Sequence, residues 1–205
     1  MSVRHRAGRA AAALLCALAA ALAAALPGVA AGADAEAGRQ KAQLCMACHG
    51  ENGNSAQAAF PSLAAMPGQF IVSALYQFRE GKRVNAIMSP MAANLTNADL
   101  NDLAAYFSAQ KLRPPTATIA PERATQGRML ALKNNCTACH AATLTGQQHI
   151  PRLAGQQREY LAVQLSAFRA GTRAEMDGVM TSAAQGLSAE DIDLLADYLS
   201  TLNTP

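Results

Sequence analysis

Once the first 33 residues are set aside, no cysteine stands outside two short motifs, so none is left for a structural disulfide elsewhere. No cluster of lysine and arginine suggests a nucleic-acid partner. No stretch alternates as a half-buried strand would, which leaves no sheet to build. Charge is scarce and balanced. The full chain has 17 basic and 14 acidic residues, but Arg4, Arg6 and Arg9 fall in the first 33, so the remainder carries 14 of each. Long-range steering by net charge is thereby excluded, and any partner docks through local patches. There is no tryptophan, and aromatic residues make up only 4% of the chain, so little bulk is available for a large apolar core.

The apolar run from Ala10 to Leu26 is short for a membrane span. It follows the basic stretch RHRAGR and precedes Pro27, Gly28 and small residues, the order of a secretory leader. Residues 1–33 are expected to form it, with cleavage between Ala30 and Ala33, which sends the chain to the periplasm. A retained leader acting as a membrane anchor is the alternative. Cys16 lies inside the leader after Leu15, and a lipid-attachment cysteine wants a small residue there.

What remains is organised as a duplication. CMACHG at 45–50 returns as CTACHA at 136–141, which is 91 residues later. FPSLAAMPGQFIVSALYQFREGKR, from Phe60, returns at an offset of 90 as IPRLAGQQREYLAVQLSAFRAGTR, from Ile150. MSPMAANLTNADL, from Met88, returns at an offset of 92 as MTSAAQGLSAEDI, from Met180. Three blocks in the same order imply two domains, at 34–112 and 122–205, joined by the proline-rich linker 113–121. Both halves read as all-α. Helices are expected over Asp34–Leu44, Phe70–Glu80, Glu122–Asn134 and Glu159–Ala170, with Gly81 and Gly171 just past two of their ends. Thr96 and Ser188 open the last helices, each with an aspartate three residues on, Asp99 and Asp191. Their apolar faces are Leu100, Leu103, Ala104 and Phe107, and Ile192, Leu195, Ala196 and Leu199. Each half is about 80 residues and has little apolar core of its own, so a large apolar group at its centre would explain how it folds.

Four chemistries compete for the CxxCH units. A redox dithiol wants a βαβ context that is absent. A tetrahedral zinc site lacks a clear fourth ligand in each half. A disulfide within CxxC would be a strained ring and would leave the duplication unexplained. Covalent c-type haem uses everything present: the thiols of Cys45 and Cys48, and of Cys136 and Cys139, add to the vinyl groups, and His49 and His140 lie beneath the iron. Two haem c groups are therefore expected. A methionine at the second axial position raises the potential and blocks other ligands, whereas an open position suits peroxide or oxygen chemistry. Met88 and Met180 stand 39 and 40 residues after the histidines, and each lies seven residues before a leucine, Leu95 or Leu187. Met91 aligns with Ala183 and Met176 with no methionine, so Met88 and Met180 are expected to ligate. Met46, Met66 and Met129 read as packing residues.

Here the sequence resembles a known family, the dihaem cytochromes c of the cytochrome c4 type. DAEAG, CMACHGENGNS, FPSLA, IPRLAGQ, FRAGTR and LSAEDIDLLADYL carry the resemblance, which runs from about Asp34 to Leu202. It implies two tandem class I cytochrome c domains packed about a pseudo-twofold, with haem propionates facing across it. It implies His49 with Met88 and His140 with Met180 on the irons, and carbonyls of Pro61 and Pro151 accepting from the histidine Nδ1. It also implies an electron carrier of the periplasm, serving a respiratory donor and a terminal oxidase. One departure stands out: LAAM in the first half replaces the family-like LAGQ of the second, and a change of loop shape or exposure near haem 1 is expected. Arg79, Arg83, Arg169 and Arg173 suit either propionates, a contact between domains or helix C-termini. His149 reads as a loop residue, and Tyr106 and Tyr198 as packing. The leading reading is a diffusible monomeric carrier rather than an enzyme. A dihaem peroxidase-like enzyme, or a fixed electron-transfer subunit of a dehydrogenase or oxidase complex, associated with a membrane-bound oxidase, are the alternatives.

Overall fold

Asp34 starts the first helix. Its carboxylate accepts from the backbone N–H groups of Glu36 and Ala37 at 2.8 and 3.2 Å, two donors that a helix start leaves without partners. The computed structural model describes residues 32–203 except residue 174, and the expected leader lies almost wholly outside them. In the first half, α1 spans Ala35–His49, α2 Gly68–Arg79, α3 Met88–Ala92 and α4 Asn97–Ser108. In the second, α5 spans Pro121–Lys133, α6 Cys136–Cys139, α7 Arg158–Arg169, α8 Val179–Ala184 and α9 Ala189–Ser200. Among the described residues no strand forms, and the architecture is all-α as expected. No helix among them is long and apolar enough to cross a membrane.

The expected caps are present. Thr96 Oγ1 accepts from Asp99 N–H at 3.2 Å while Asp99 accepts from Thr96 N–H at 2.8 Å, and Ser188 with Asp191 repeats the exchange. Gly81 and Gly171 take the left-handed conformation just past α2 and α7. Pro121 opens α5 as its first residue, where a missing N–H costs nothing. The three short helices, α3, α6 and α8, are not among those expected from the sequence.

Each half closes by crossing its first helix over its last, and a glycine sits at each crossing. A Cβ on Gly38 would lie 2.0 Å from the Asp102 carbonyl oxygen, and one on Gly127 would lie 2.6 Å from the Leu194 carbonyl oxygen. Backbone-to-backbone approach of this kind admits no side chain. Around the crossings lie two cores, Ala42, Ile71, Leu103 and Phe107 in the first half and Ala131, Leu161, Leu195 and Leu199 in the second. Tyr106 and Tyr198 pack here, as expected. The described residues from Ala33 onward nevertheless form one compact unit.

The halves differ before the motif. From Gly38 to Cys45 is seven residues, and from Gly127 to Cys136 is nine, because Asn134 and Asn135 are additional. The first CxxCH therefore continues α1, whereas Asn135, left-handed at φ 54°, ends the second helical stretch and puts Cys136–Cys139 in a separate turn.

Candidate haem sites

The two histidines after the cysteines are buried and held identically. His49 Nδ1–H donates to the carbonyl oxygen of Pro61 and His140 Nδ1–H to that of Pro151, both at 2.8 Å. A carbonyl can only accept, so Nδ1 carries the proton in each ring and Nε2 presents its lone pair. Burial lowers the pKa of both imidazoles, which favours the neutral, ligating form. Phe60 adds an edge-on contact to His49 with ring centroids 6.3 Å apart.

The four cysteines of the two motifs are unpaired, and Cys45 and Cys136 pack partly into the two cores. Burial pushes both of those thiols above their ordinary value. Among the described residues no three His, Cys, Asp or Glu side chains converge as zinc ligands would. Met88 opens α3 and Met180 is the second residue of α8, both half-buried. Asn85 Oδ1 accepts from Met88 N–H at 2.9 Å and fixes the start of α3. Met176 is 70% exposed and Met91 39%, so both are more exposed than Met88 and Met180. Met66 is buried in the first core, as a packing residue should be, while Met129 is exposed and takes no part in packing. His149 is exposed in its loop.

The recurring arginines divide into two pairs. Arg79 donates to the Leu95 carbonyl and Arg169 to that of Leu187, 2.9 and 3.3 Å away, which ties α2 and α7 to the turns before the last helices. Arg83 and Arg173 instead converge from opposite halves. Arg83 donates to Tyr160 Oη at 3.2 Å and to Gln164 Oε1 at 2.9 Å, and Arg173 donates to the same Gln164 oxygen. Their guanidinium groups lie over Phe78 and Phe168, 4.5 and 4.3 Å from the ring centroids. Arg152, 2% exposed, donates to the carbonyls of Ser62, Ala64 and Ala154. Burial lowers the pKa of both Arg152 and Arg173 to about 10, so both stay charged at neutral pH.

These features test whether a haem fits. Among the described residues the buried side-chain donors without a partner are Nε of Arg152 and Nε of Arg173, and neither arginine has a carboxylate within ion-pair distance. Buried cations without anions suit an anionic group such as a propionate. Val84, Ile87 and Val179 are at least half exposed beside Met88 and Met180, as apolar walls of a flat apolar group would be. Unpaired thiols, an available Nε2, apolar walls and unneutralised arginines fit haem in both halves.

The expected change at LAAM does not occur in shape or exposure. Ala65 takes the left-handed conformation of Gly155, at φ 54° against 65°. Ala65 N–H donates to the Phe107 carbonyl as Gly155 N–H does to that of Leu199, and Met66 and Gln156 are both 3% exposed. The loop keeps its form because its backbone bonds, rather than the fourth residue, hold it. Sequence reasoning also missed Gly38 and Gly127, whose signal is a glycine within each helix that leads to CxxCH.

An all-helical duplicated frame with one CxxCH, one inward histidine and one carbonyl clamp per half defines a dihaem c-type cytochrome. The family model for cytochrome c matches residues 35–111 and 124–203. The cytochrome c4 of Pseudomonas aeruginosa is 37% identical over 185 residues, covering 84% of this chain and 90% of that protein. The crystal structure of reduced recombinant cytochrome c4 from Pseudomonas stutzeri superposes with a TM-score of 0.77 at 36% identity, covering 84% of this chain and all of the other. A thiosulfate dehydrogenase electron acceptor of Thiomonas intermedia (strain K12) is 33% identical over 173 residues, 78% of this chain and 79% of that one. The chain belongs to the cytochrome c family, in its two-haem cytochrome c4 branch. It is an electron-transfer protein with two covalently bound c-type haems.

Proposed function

We propose that this chain is a periplasmic, monomeric electron carrier that takes electrons from a respiratory donor and delivers them to a terminal oxidase, without catalysing a reaction of its own. Cys45 and Cys48 hold one haem by thioether bonds and Cys136 and Cys139 the other. His49 with Met88, and His140 with Met180, would hold the two irons. When bound, each haem iron supplies a one-electron couple. Residues 1–33 form the signal peptide, 34–112 and 122–205 the two domains, and 113–121 the linker.

The observation that carries the reading is the pair of 2.8 Å bonds from His49 and His140 to Pro61 and Pro151. Each proline carbonyl fixes the tautomer, turns Nε2 inward and makes the imidazole more basic. Met88 and Met180 would ligate the irons as well, which would exclude exogenous ligands and raise the potential. Arg83, Arg152 and Arg173 supply positive charge where the halves meet and so favour propionates there. Neutral charge overall leaves partner choice to local surface patches.

The test is spectroscopic. The oxidised protein should show the sulfur-to-iron charge-transfer band, and Met180→Ala should remove about half of it and open one haem to carbon monoxide. Met176→Ala should do neither. Ready carbon monoxide binding by the unmutated protein would favour the peroxidase-like alternative. The thiosulfate dehydrogenase electron acceptor among its relatives supports a second reading, in which the donor is a dehydrogenase of a small inorganic anion. Reduction by such an enzyme, followed by oxidation in oxidase-containing membranes, distinguishes the two donors.

A further inference from the structure

Where the halves meet, Ser62 and Arg152 are repeat partners, and so are Met66 and Gln156, each pair 90 residues apart. Their hydrogen bonds cross between halves. Ser62 N–H donates to Gln156 Oε1 at 2.7 Å, and Arg152 N–H donates to Met66 Sδ at 3.3 Å. Each N–H belongs to the peptide whose carbonyl takes a histidine: Pro61–Ser62 for His49 and Pro151–Arg152 for His140. One peptide plane thus links each imidazole to a side chain of the opposite half. All four linking residues are no more than 3% exposed, so water does not compete.

The two links are unequal. An amide oxygen is a full acceptor and a thioether sulfur a weak one. Bonds in series polarise one another, by roughly 10–30% per bond in a low-dielectric interior. A peptide whose N–H is well bonded presents a more negative carbonyl oxygen. Pro61 therefore draws on the His49 proton more strongly than Pro151 draws on that of His140. The stronger draw gives the imidazole more anionic character and favours ferric over ferrous iron.

We propose that Met66 and Gln156 are positioning residues that make the two haems inequivalent, each acting on the haem of the other half. Gln156 lowers the potential at His49, and Met66 leaves that at His140 higher, which tilts the shared electron toward the second half. The proposal rests on ligation of iron by His49 and His140.

The test is a spectroelectrochemical titration of the haem-loaded full protein, with each one-electron wave assigned by haem-methyl NMR in partly reduced samples. Met66→Gln restores the repeat. It should shift the His140 wave to lower potential, leave the His49 wave in place, and move the His140 Nδ1–H proton of the reduced protein downfield. Gln156→Met should raise the His49 wave alone, and Met66→Leu should raise the His140 wave. Met66 packs in the core of the first half as well as against Arg152, so a general change of polarity there would act on the His49 haem too, whereas the relay acts on the His140 haem alone. A shift of the His49 wave by Met66→Gln, equal shifts of both waves, or no shift in a variant with two haems and an intact charge-transfer band would overturn the proposal. A parent protein without that band would overturn the ligand assignment instead.

Discussion

Gly38→Ala tests the helix crossing on which both halves are built. The added Cβ would stand 2.0 Å from the Asp102 carbonyl oxygen and 2.8 Å from Tyr106 Cβ. An ordinary carbon-to-oxygen contact is about 3.3 Å, so α1 and α4 must part by about 1.3 Å. A gap of even about 0.5–1 Å forfeits a quarter to a half of the dispersion attraction along the seam. Overpacking costs about 1–3 kcal/mol, and an obstacle made of backbone belongs at the upper end. Alanine returns about 1 kcal/mol of helix propensity. The net loss is about 2 kcal/mol, which for a chain of this length lowers Tm by about 4–8 °C. The assay is thermal unfolding of the haem-loaded protein followed by circular dichroism. Gly186→Ala, where an added Cβ meets nothing within 4 Å, serves as the control and should melt with the parent. A Gly38→Ala protein that melts within about 1 °C of the parent would refute the steric argument.

The haems should stay on the chain during extraction into acidified organic solvent, and colour in the organic layer would contradict covalent attachment. Cys45→Ala with Cys48→Ala should strip one haem and loosen the first half while the second keeps its haem, read as a halved haem-to-protein ratio with reduced helicity. Asp99 should contribute to acid stability. The hydrogen bond from Lys41, then those from Thr96, lower its pKa to about 2. Because its folded value lies below the ordinary value of about 3.9, its contribution is present above that pH and disappears as pH falls through about 2. Asp99→Asn should therefore destabilise at pH 7 by about 1 kcal/mol, mostly through the lost cap, and the difference from the parent should shrink toward pH 2 in denaturant titrations. Equal differences at both pH values would exclude a role for the carboxylate charge.

Local features were legible in the sequence because local rules decide them. Thr96, Ser188, Gly81 and Gly171 follow from backbone donors and left-handed turns within a few residues. The tautomer of His49 and His140 was legible only through resemblance, since the partner carbonyls stand 12 and 11 residues away. Features that depend on two elements meeting were hidden. Arg79 and Arg83 look alike in the repeat, yet one ties a helix to a turn and the other reaches across to Tyr160. Gly38 drew no reading from the sequence, and only Asp102 lying against it gives the glycine its role. The helix expected to end at Leu44 runs on through the first CxxCH to His49, whereas the one expected to end at Asn134 does stop there, because two additional asparagines set the second motif apart. The exchange of Gln for Met at residue 66 was noticed as a difference in shape, whereas the difference is one of acceptor strength.

The connector has consequences for assembly. Arg113 N–H donates to Asn54 Oδ1 at 2.7 Å while Asn54 Nδ2 donates to the Lys111 carbonyl at 3.0 Å, and Arg113 also pairs with Glu51. The chain leaving the first half is thereby fastened to that half, and Pro114 and Pro115 then stiffen it. Exchange of halves between two molecules requires a hinge that can turn outward. Here that turn would break the Asn54 bonds and expose the buried amide of Gln156. A short tether also keeps the second half at an effective concentration on the order of millimolar beside the first. Dilution in a large compartment therefore does not separate the two redox centres, and a second copy of the chain competes poorly for either face.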